Sequence, residues 1–251
     1  LYFEPDGNFP NHHPSPIESK NMRDLLKKVK EVGADIGVAF DGDADRAVMC
    51  DENGEIISAS ITLAAVSELL LTESPGKKIM YNATCSHIVR DTILAHHGIP
   101  VREKVGHVYL KERMSQDPEI IFGGEHSSHY YFRDMGNADS GALAFLLLLE
   151  YLEQYEMKAS SMRQKFGKYQ NIEETNFRVD SVAAVLERLS ETYGSDNQER
   201  FDGLTVSFED GSWFNVRGSS NEPLIRLNAE AMSMERLEAM TEKVISEIGG
   251  T

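Results

Sequence analysis

The stretch AFDGDADRAV at residues 39–48 sets Asp41, Asp43 and Asp45 at alternate positions and closes with Arg46. In extended backbone such side chains stand about 7 Å apart, and three negative charges that close repel by several kcal/mol at an effective dielectric near 20. A divalent cation relieves the repulsion. Aspartate oxygens suit a hard ion, Mg²⁺ or Ca²⁺, better than zinc or copper. A guanidinium beside such an ion makes sense when an anion such as phosphate bridges both. A solvated acidic turn is the commoner meaning of an isolated pair, but three aspartates in register after a buried strand favour the metal. An EF-hand would place Glu52 at its twelfth position; however, Arg46 stands where that loop needs glycine, and the flanks read as strands rather than helices.

Three further stretches carry chemistry-bearing residues. In GGEHSSHYYFRD, residues 123–134, glycines after a strand allow close backbone approach, and Glu125, Ser127 and His129 alternate so that they face one side. A carboxylate beside a hydroxyl matches vicinal sugar hydroxyls, although a plain polar loop reads equally well. In VRGSSNEPLIR, residues 216–226, Arg217, Ser219, Ser220, Asn221 and Gly218 offer charged donors, hydroxyls and backbone N–H groups that suit a phosphate, with an ordinary turn as the even alternative. In KVGHVYLKERM, residues 104–114, His107 follows Gly106 at a helix start with Lys111 one turn on. A histidine there can move protons near neutral pH or simply cap the helix. His12, His13, His96 and His97 read as surface residues.

These residues need a scaffold. Residues 20–32 have a helical apolar face ended by Gly33, and DIGVAF reads as a buried parallel strand that puts the aspartates at its carboxyl end, where open α/β sheets hold ligands. AVMC resumes a strand and DENGE signals a hairpin. Helices over 61–71, 88–97, 107–115 and 140–155 alternate with strands KIMYN, PVREKV and EIIFGG, which predicts one doubly wound, mainly parallel unit. A polar segment at 158–170 then separates a small α+β domain: strand NIEETNFRV, helix 182–192, a hairpin turning at Asp210 and Gly211, strand LIRLNAEA and helix 234–248.

Composition narrows the partners. With 251 residues, 41% of them hydrophobic, the chain can bury a core and holds two or three domains. A net charge of −16 and no basic run argue against nucleic acid. No run of about 18 apolar residues predicts a membrane span, and no signal peptide is visible. Cys50 and Cys85 form no disulfide framework, so a reduced cytoplasm is the default. The opening LYFEPDGNFPNHHPSP is loop-like, yet its Tyr and Phe ought to pack on something, so the chain is expected to be the later part of a longer protein.

In their order and spacing over nearly the whole chain, DGDADR, GEHSSH and RGSSNEP resemble the metal, sugar and phosphate loops of the α-D-phosphohexomutase family, the phosphomannomutases and phosphoglucomutases. GNFPNHHPSP resembles the loop before the metal site. The resemblance implies doubly wound mixed-sheet α/β domains followed by a small α+β C-terminal domain. Residues 1–58 would end a second domain, 59–165 form a third and 166–251 a fourth, with missing N-terminal domains of the same protein as partners. It implies an isomerase-class phosphotransferase that exchanges hexose 1-phosphate and 6-phosphate through a phosphoserine and a bisphosphorylated sugar. Asp41, Asp43 and Asp45 would hold Mg²⁺, and Arg46 would stabilise the transferring phosphoryl group. Glu125 and Ser127 would grip sugar hydroxyls 3 and 4 with His129 nearby. Arg217, Ser219, Ser220 and Asn221 would anchor the other phosphate; Gly106 and His107 would line the cleft, His107 also as acid/base. No T-A-S-H-N-P-like stretch occurs here, so weak phosphosugar binding without turnover is expected of these residues alone, and a non-catalytic metal- and phosphosugar-binding module is the alternative. The sequence departs from the family pattern at Ser220 and Asn221, at Val108, and at Thr84, which stands where a basic residue is common and shifts proton transfer to His107 or Lys111.

Overall fold

The structure, a computed structural model, describes residues 1–4, 6–194, 197–219 and 224–249. The backbone divides into two compact units, Leu1–Gly167 and Lys168–Thr251.

The first unit opens with α1 (Arg23–Val32) after a short 3₁₀ turn, and Gly33 closes it. Strands β1 (Ile36–Phe40), β2 (Ala47–Asp51) and β3 (Ile56–Ile57) follow and pair antiparallel. The expected parallel strand is therefore corrected: Phe40 pairs with Ala47, leaving only residues 41–46 between them. Parallel neighbours need a crossover of a dozen or more residues, so a connection this short can only be a hairpin. The aspartates sit at its tip. At the next turn, the Asn53 and Glu55 N–H groups both donate to Asp51 Oδ1, which fixes the register.

A second sheet carries the α/β layering. Its elements are α2 (Ala59–Glu73), β4 (Lys78–Asn82), α3 (His87–Ala95), β5 (Ile99–Glu103), α4 (His107–Gln116), β6 (Ile120–Gly124), β7 (Tyr130–Phe132), β8 (Ala138–Asp139) and α5 (Gly141–Gln154). Strand order is β5-β4-β6-β7-β8, parallel across β5, β4 and β6 and antiparallel beyond. Helix α2 is apolar nearly all round and buried through most of its length, as a helix enclosed by neighbours must be. The one doubly wound unit read from the strand–helix alternation is thus two sheets, one of them mixed, which agrees with the mixed-sheet α/β domains that the resemblance implies.

The segment at 158–170 is not a bare linker. It contains α6 (Ala159–Phe166), whose Met162 and Phe166 are buried. Arg163 Nη2 lies 2.6 Å from Asp51 Oδ2, and Lys165 Nζ lies 2.7 Å from the buried Glu68. Its polar side chains are anchors, which is why a composition-based reading took them for linker. Tyr2, Phe3 and Phe9 near the chain start are exposed. No helix among the described residues is long and apolar enough to cross a membrane.

In the second unit, β9 (Gln170–Asn171), β10 (Thr175–Arg178), β11 (Gln198–Glu199), β12 (Leu204–Ser207), β13 (Trp213–Gly218) and β14 (Leu224–Ala231) form an antiparallel sheet of order β10-β14-β13-β12-β11, with β9 beside the far end of β14. Helices α7 (Val182–Tyr193) and α8 (Met234–Ile248) pack on it around Leu189, Phe214, Val216, Leu227 and Val244, all fully buried. Each such side chain contributes about 1.5–3 kcal/mol.

Candidate active site

The loop at 41–46 turns back on itself rather than staying extended. Ala44 adopts φ 61, and its N–H donates to the Asp41 carbonyl. The fold brings carboxylate oxygens of Asp41, Asp43 and Asp45 within 4.8 Å of one another, closer than alternation alone would place them. At that separation each like-charged pair repels by roughly 3 kcal/mol at an effective dielectric of 20. Arg46 relieves part of this: its N–H donates to Asp41 Oδ1 at 3.1 Å, and its Nε donates to Oδ2 at 2.5 Å while lying 3.6 Å from Asp45 Oδ1. Burial pushes the Asp41 carboxyl up, but these Arg46 contacts, together with the neighbouring Asp45 carboxyl, outweigh it and hold the group below its ordinary value. Burial raises Asp45 despite the nearby His129, and its carboxylate neighbours raise it further. Asp45 Oδ1 is buried without a hydrogen-bond partner among the described residues. The cluster remains short of positive charge, and its donor set of three hard oxygens fits Mg²⁺.

The second loop meets this one through the backbone. Arg46 and His129 form an antiparallel bridge, and the Ala47 N–H donates to the Ser128 carbonyl at 3.3 Å. Helix α5 supports the junction from beneath: a Cβ at Gly141 would stand 2.8 Å from the Arg46 backbone, so only glycine fits without displacing the loop. His129 Nε2 then lies 3.4 Å from Asp45 Oδ2, its Nδ1 2.9 Å from Ser127 Oγ and 3.7 Å from Glu125 Oε1. Glu125, Ser127 and His129 do come together, but by a turn and not by strand alternation. Ser128 sits at φ 66, and its N–H donates to the Glu125 carbonyl.

Glu125 is only 2% exposed. Tyr131 Oη donates to its Oε1 at 2.5 Å, while Asn82 Nδ2 and the Gly106 N–H donate to Oε2 at 3.2 and 3.0 Å. Gly106, at φ 131, starts α4 in a conformation other residues rarely adopt, and His107 after it is exposed. Lys111 Nζ lies 2.8 Å from Asp139 and over the Tyr131 ring. Thr84 is buried, and its hydroxyl donates to Asn82 Oδ1, so it holds a neighbour in place instead of facing a cleft. The sequence reading missed Asn82 and Tyr131; a polar residue ending strand β4 was the one available signal.

The second unit is considered by itself. Arg217 on β13 stands directly opposite Arg226 on β14, an arrangement that repels. Glu174 separates the charges. Its Oε2 lies 3.1 Å from Arg217 Nη2 and its Oε1 2.8 Å from Arg226 Nη1, and Asn228 Nδ2 donates to Oε2. Burial would raise the Glu174 carboxyl, but the two guanidiniums and Asn228 hold it below its ordinary value. The Nε atoms of both arginines are buried without partners among the described residues. The Ser219 N–H donates to the Leu224 carbonyl at 2.8 Å; Ser220 and Asn221 lie outside the described residues. Glu174 was also missed, since nothing local ties it to a loop 43 residues on.

Comparison with known proteins accounts for nearly the whole chain. Residues 1–54 match alpha/beta/alpha domain II of the phosphoglucomutase/phosphomannomutase family, residues 58–169 its alpha/beta/alpha domain III and residues 174–247 its C-terminal domain. The chain belongs to that family. It is 34% identical over 240 residues to a phosphomannomutase of Methanocaldococcus jannaschii, covering 96% of this chain and 53% of that protein. A phosphomannomutase of Vibrio cholerae is 37% identical over 248 residues, with 97% and 53% covered. A solved phosphoglucomutase/phosphomannomutase family protein from Burkholderia thailandensis superposes with a TM-score of 0.88 at 28% identity, covering 99% of this chain and 54% of that one. The chain thus spans about half the length of the curated relatives it matches.

Proposed function

We propose that these residues form the metal- and sugar-handling part of a phosphohexomutase acting on hexose 1- and 6-phosphates. The observation that carries the reading is the backbone bridge between Arg46 and His129, which fixes an acidic, cation-deficient loop against a carboxylate and a hydroxyl suited to sugar. Asp41, Asp43 and Asp45 would hold Mg²⁺, which when bound supplies charge neutralisation for phosphoryl transfer. Arg46, kept in place by Asp41, would face the transferring group as a fixed positive charge. Glu125 and Ser127 would receive sugar hydroxyls 3 and 4, with His129 linking them to the acidic loop. Gly106 would line the cleft and exposed His107 would move the proton, since Thr84 and Lys111 are engaged elsewhere. Arg217 with Ser219, Ser220 and Asn221 would take the second phosphate. The domain limits after residues 58 and 165 are our functional division.

No serine here sits in a phosphoserine-like motif, so the phosphoryl donor would come from outside these 251 residues, and they would bind phosphosugar weakly without turnover. A mutase assay on the intact protein with mannose 1-phosphate and glucose 1-phosphate tests the reading. Activity should fall by about 100-fold in Asp43→Ala. Equal rates in mutant and wild type would refute the metal assignment.

A further inference from the structure

Glu125 is a buried carboxylate held without a close cation. Among the described residues its one recorded basic neighbour is His129, whose Nδ1 lies 3.7 Å from Oε1, beyond hydrogen-bond reach. Burying such a group is costly unless hydrogen bonds replace the lost water. Three neutral donors do so here: the Tyr131 hydroxyl, the Asn82 amide and the Gly106 N–H.

The donors themselves are fixed. Asn82 is 1% exposed, and its Oδ1 accepts from the Thr84 N–H, Thr84 Oγ1 and Cys85 Sγ at 3.3, 3.2 and 3.2 Å. Flipping the amide would face its NH₂ toward those donors, so Nδ2 has one direction available, toward Glu125. Tyr131 is fully buried, and burial together with the Glu125 charge pushes its hydroxyl far above the ordinary range, which keeps it a proton donor. Each carboxylate oxygen accepts about two hydrogen bonds. Among the described residues, Oε2 is filled by Asn82 and Gly106, whereas Oε1 accepts from Tyr131 alone and keeps one acceptor position.

We propose that Asn82 and Tyr131 are positioning residues that aim the remaining acceptor position of Glu125 Oε1 at one hydroxyl of the hexose. The proposal rests on the phosphohexomutase reading. Specificity for that hydroxyl then comes from residues that touch no substrate. The same carboxylate ties the turn at Gly106, just before His107, to the sugar loop.

The test compares kcat/KM of the intact protein for mannose 1-phosphate and its 3-deoxy and 4-deoxy analogues, in wild type, Tyr131→Phe and Asn82→Ala. A crystal structure of Tyr131→Phe accompanies it, and that variant serves alone should Asn82→Ala not fold. Each substitution should lower kcat/KM for mannose 1-phosphate by about 10-fold, the worth of one hydrogen bond to a charged group, and leave it nearly unchanged for one deoxy analogue, so that discrimination between the two collapses. The crystal structure should show the Glu125 carboxylate turned from its present place. Parallel losses on every substrate, or a Glu125 that stays put in Tyr131→Phe, would overturn the positioning role. A wild type with no hexose-phosphate activity would instead overturn the proposed function, and the Glu125 position in the variant would still decide the structural part.

Discussion

In the loop at 41–46 one guanidinium touches two of three clustered carboxylates, Asp41 and Asp45, whereas around Glu174 two guanidiniums share one carboxylate. Both places force like charges together, and both provide a single internal counter-charge that leaves a surplus. The first surplus is negative and asks for a cation; the second is positive and asks for an anion. A protein with net charge −16 keeps few cations to spare, so two arginines facing one another across adjacent strands mark a place where repulsion is tolerated for a purpose. The difference teaches that the counter-charge, not the clustered residues, shows how far each site is already neutralised.

Four changes break or sharpen this contrast. The largest effect is expected for Arg46→Ala, which removes the only guanidinium of the acidic loop. A charge aimed at a transferring phosphoryl group contributes about a thousandfold in kcat, so single-turnover rates of the intact protein should drop by that order.

Next comes Glu174→Ala, which leaves Arg217 and Arg226 facing each other. Breaking a buried pair costs about 3–5 kcal/mol; Glu174 is about one-fifth exposed, so a loss nearer about 2 kcal/mol is expected. Trp213, the sole tryptophan, is buried on β13 and reports unfolding of this unit by fluorescence. An unchanged midpoint would mean the arginines need no internal anion.

The third is a pH dependence. The folded-state pKa of Glu174 is lowered, so its contribution is complete above the unfolded value near about 4.3 and disappears as pH falls through the lower folded value. Trp213-monitored stability should therefore be level with respect to this group above about pH 5 and decline on acidification. Glu174→Gln should flatten that decline.

The smallest effect is expected for Ala44→Gly. Left-handed backbone costs a non-glycine residue about 1–2 kcal/mol, and glycine returns about half of that as unfolded-chain entropy. Chemical denaturation without divalent ions should show a gain below about 1 kcal/mol.

What was legible in the sequence was local. Strand β14 and helix α8 fall on the residues expected, because alternation and helical period are strong there and Ser233 and Gly249 cap the helix. The aspartate cluster was visible because its members are two residues apart. The apolar run of β1 suggests a parallel strand, whereas the length of the loop after it already requires a hairpin. Helix α6 was hidden because its polar residues pair with Asp51, Glu52 and Glu68, about a hundred residues earlier. Asn82 with Glu125 and Glu174 with Arg217 are each 43 residues apart; only the folded sheet makes them neighbours.

The central claim, that the loop at 41–46 is short of positive charge and takes a divalent cation, is tested most directly by titrating Mg²⁺ into the intact protein by calorimetry, with unfolding midpoints measured alongside. Saturable binding is predicted for the wild type, with stabilisation of about 2.7 kcal/mol once free Mg²⁺ reaches 100 times the dissociation constant, and both effects should vanish in Asp43→Asn. Identical titrations and midpoints for the two proteins would contradict the account.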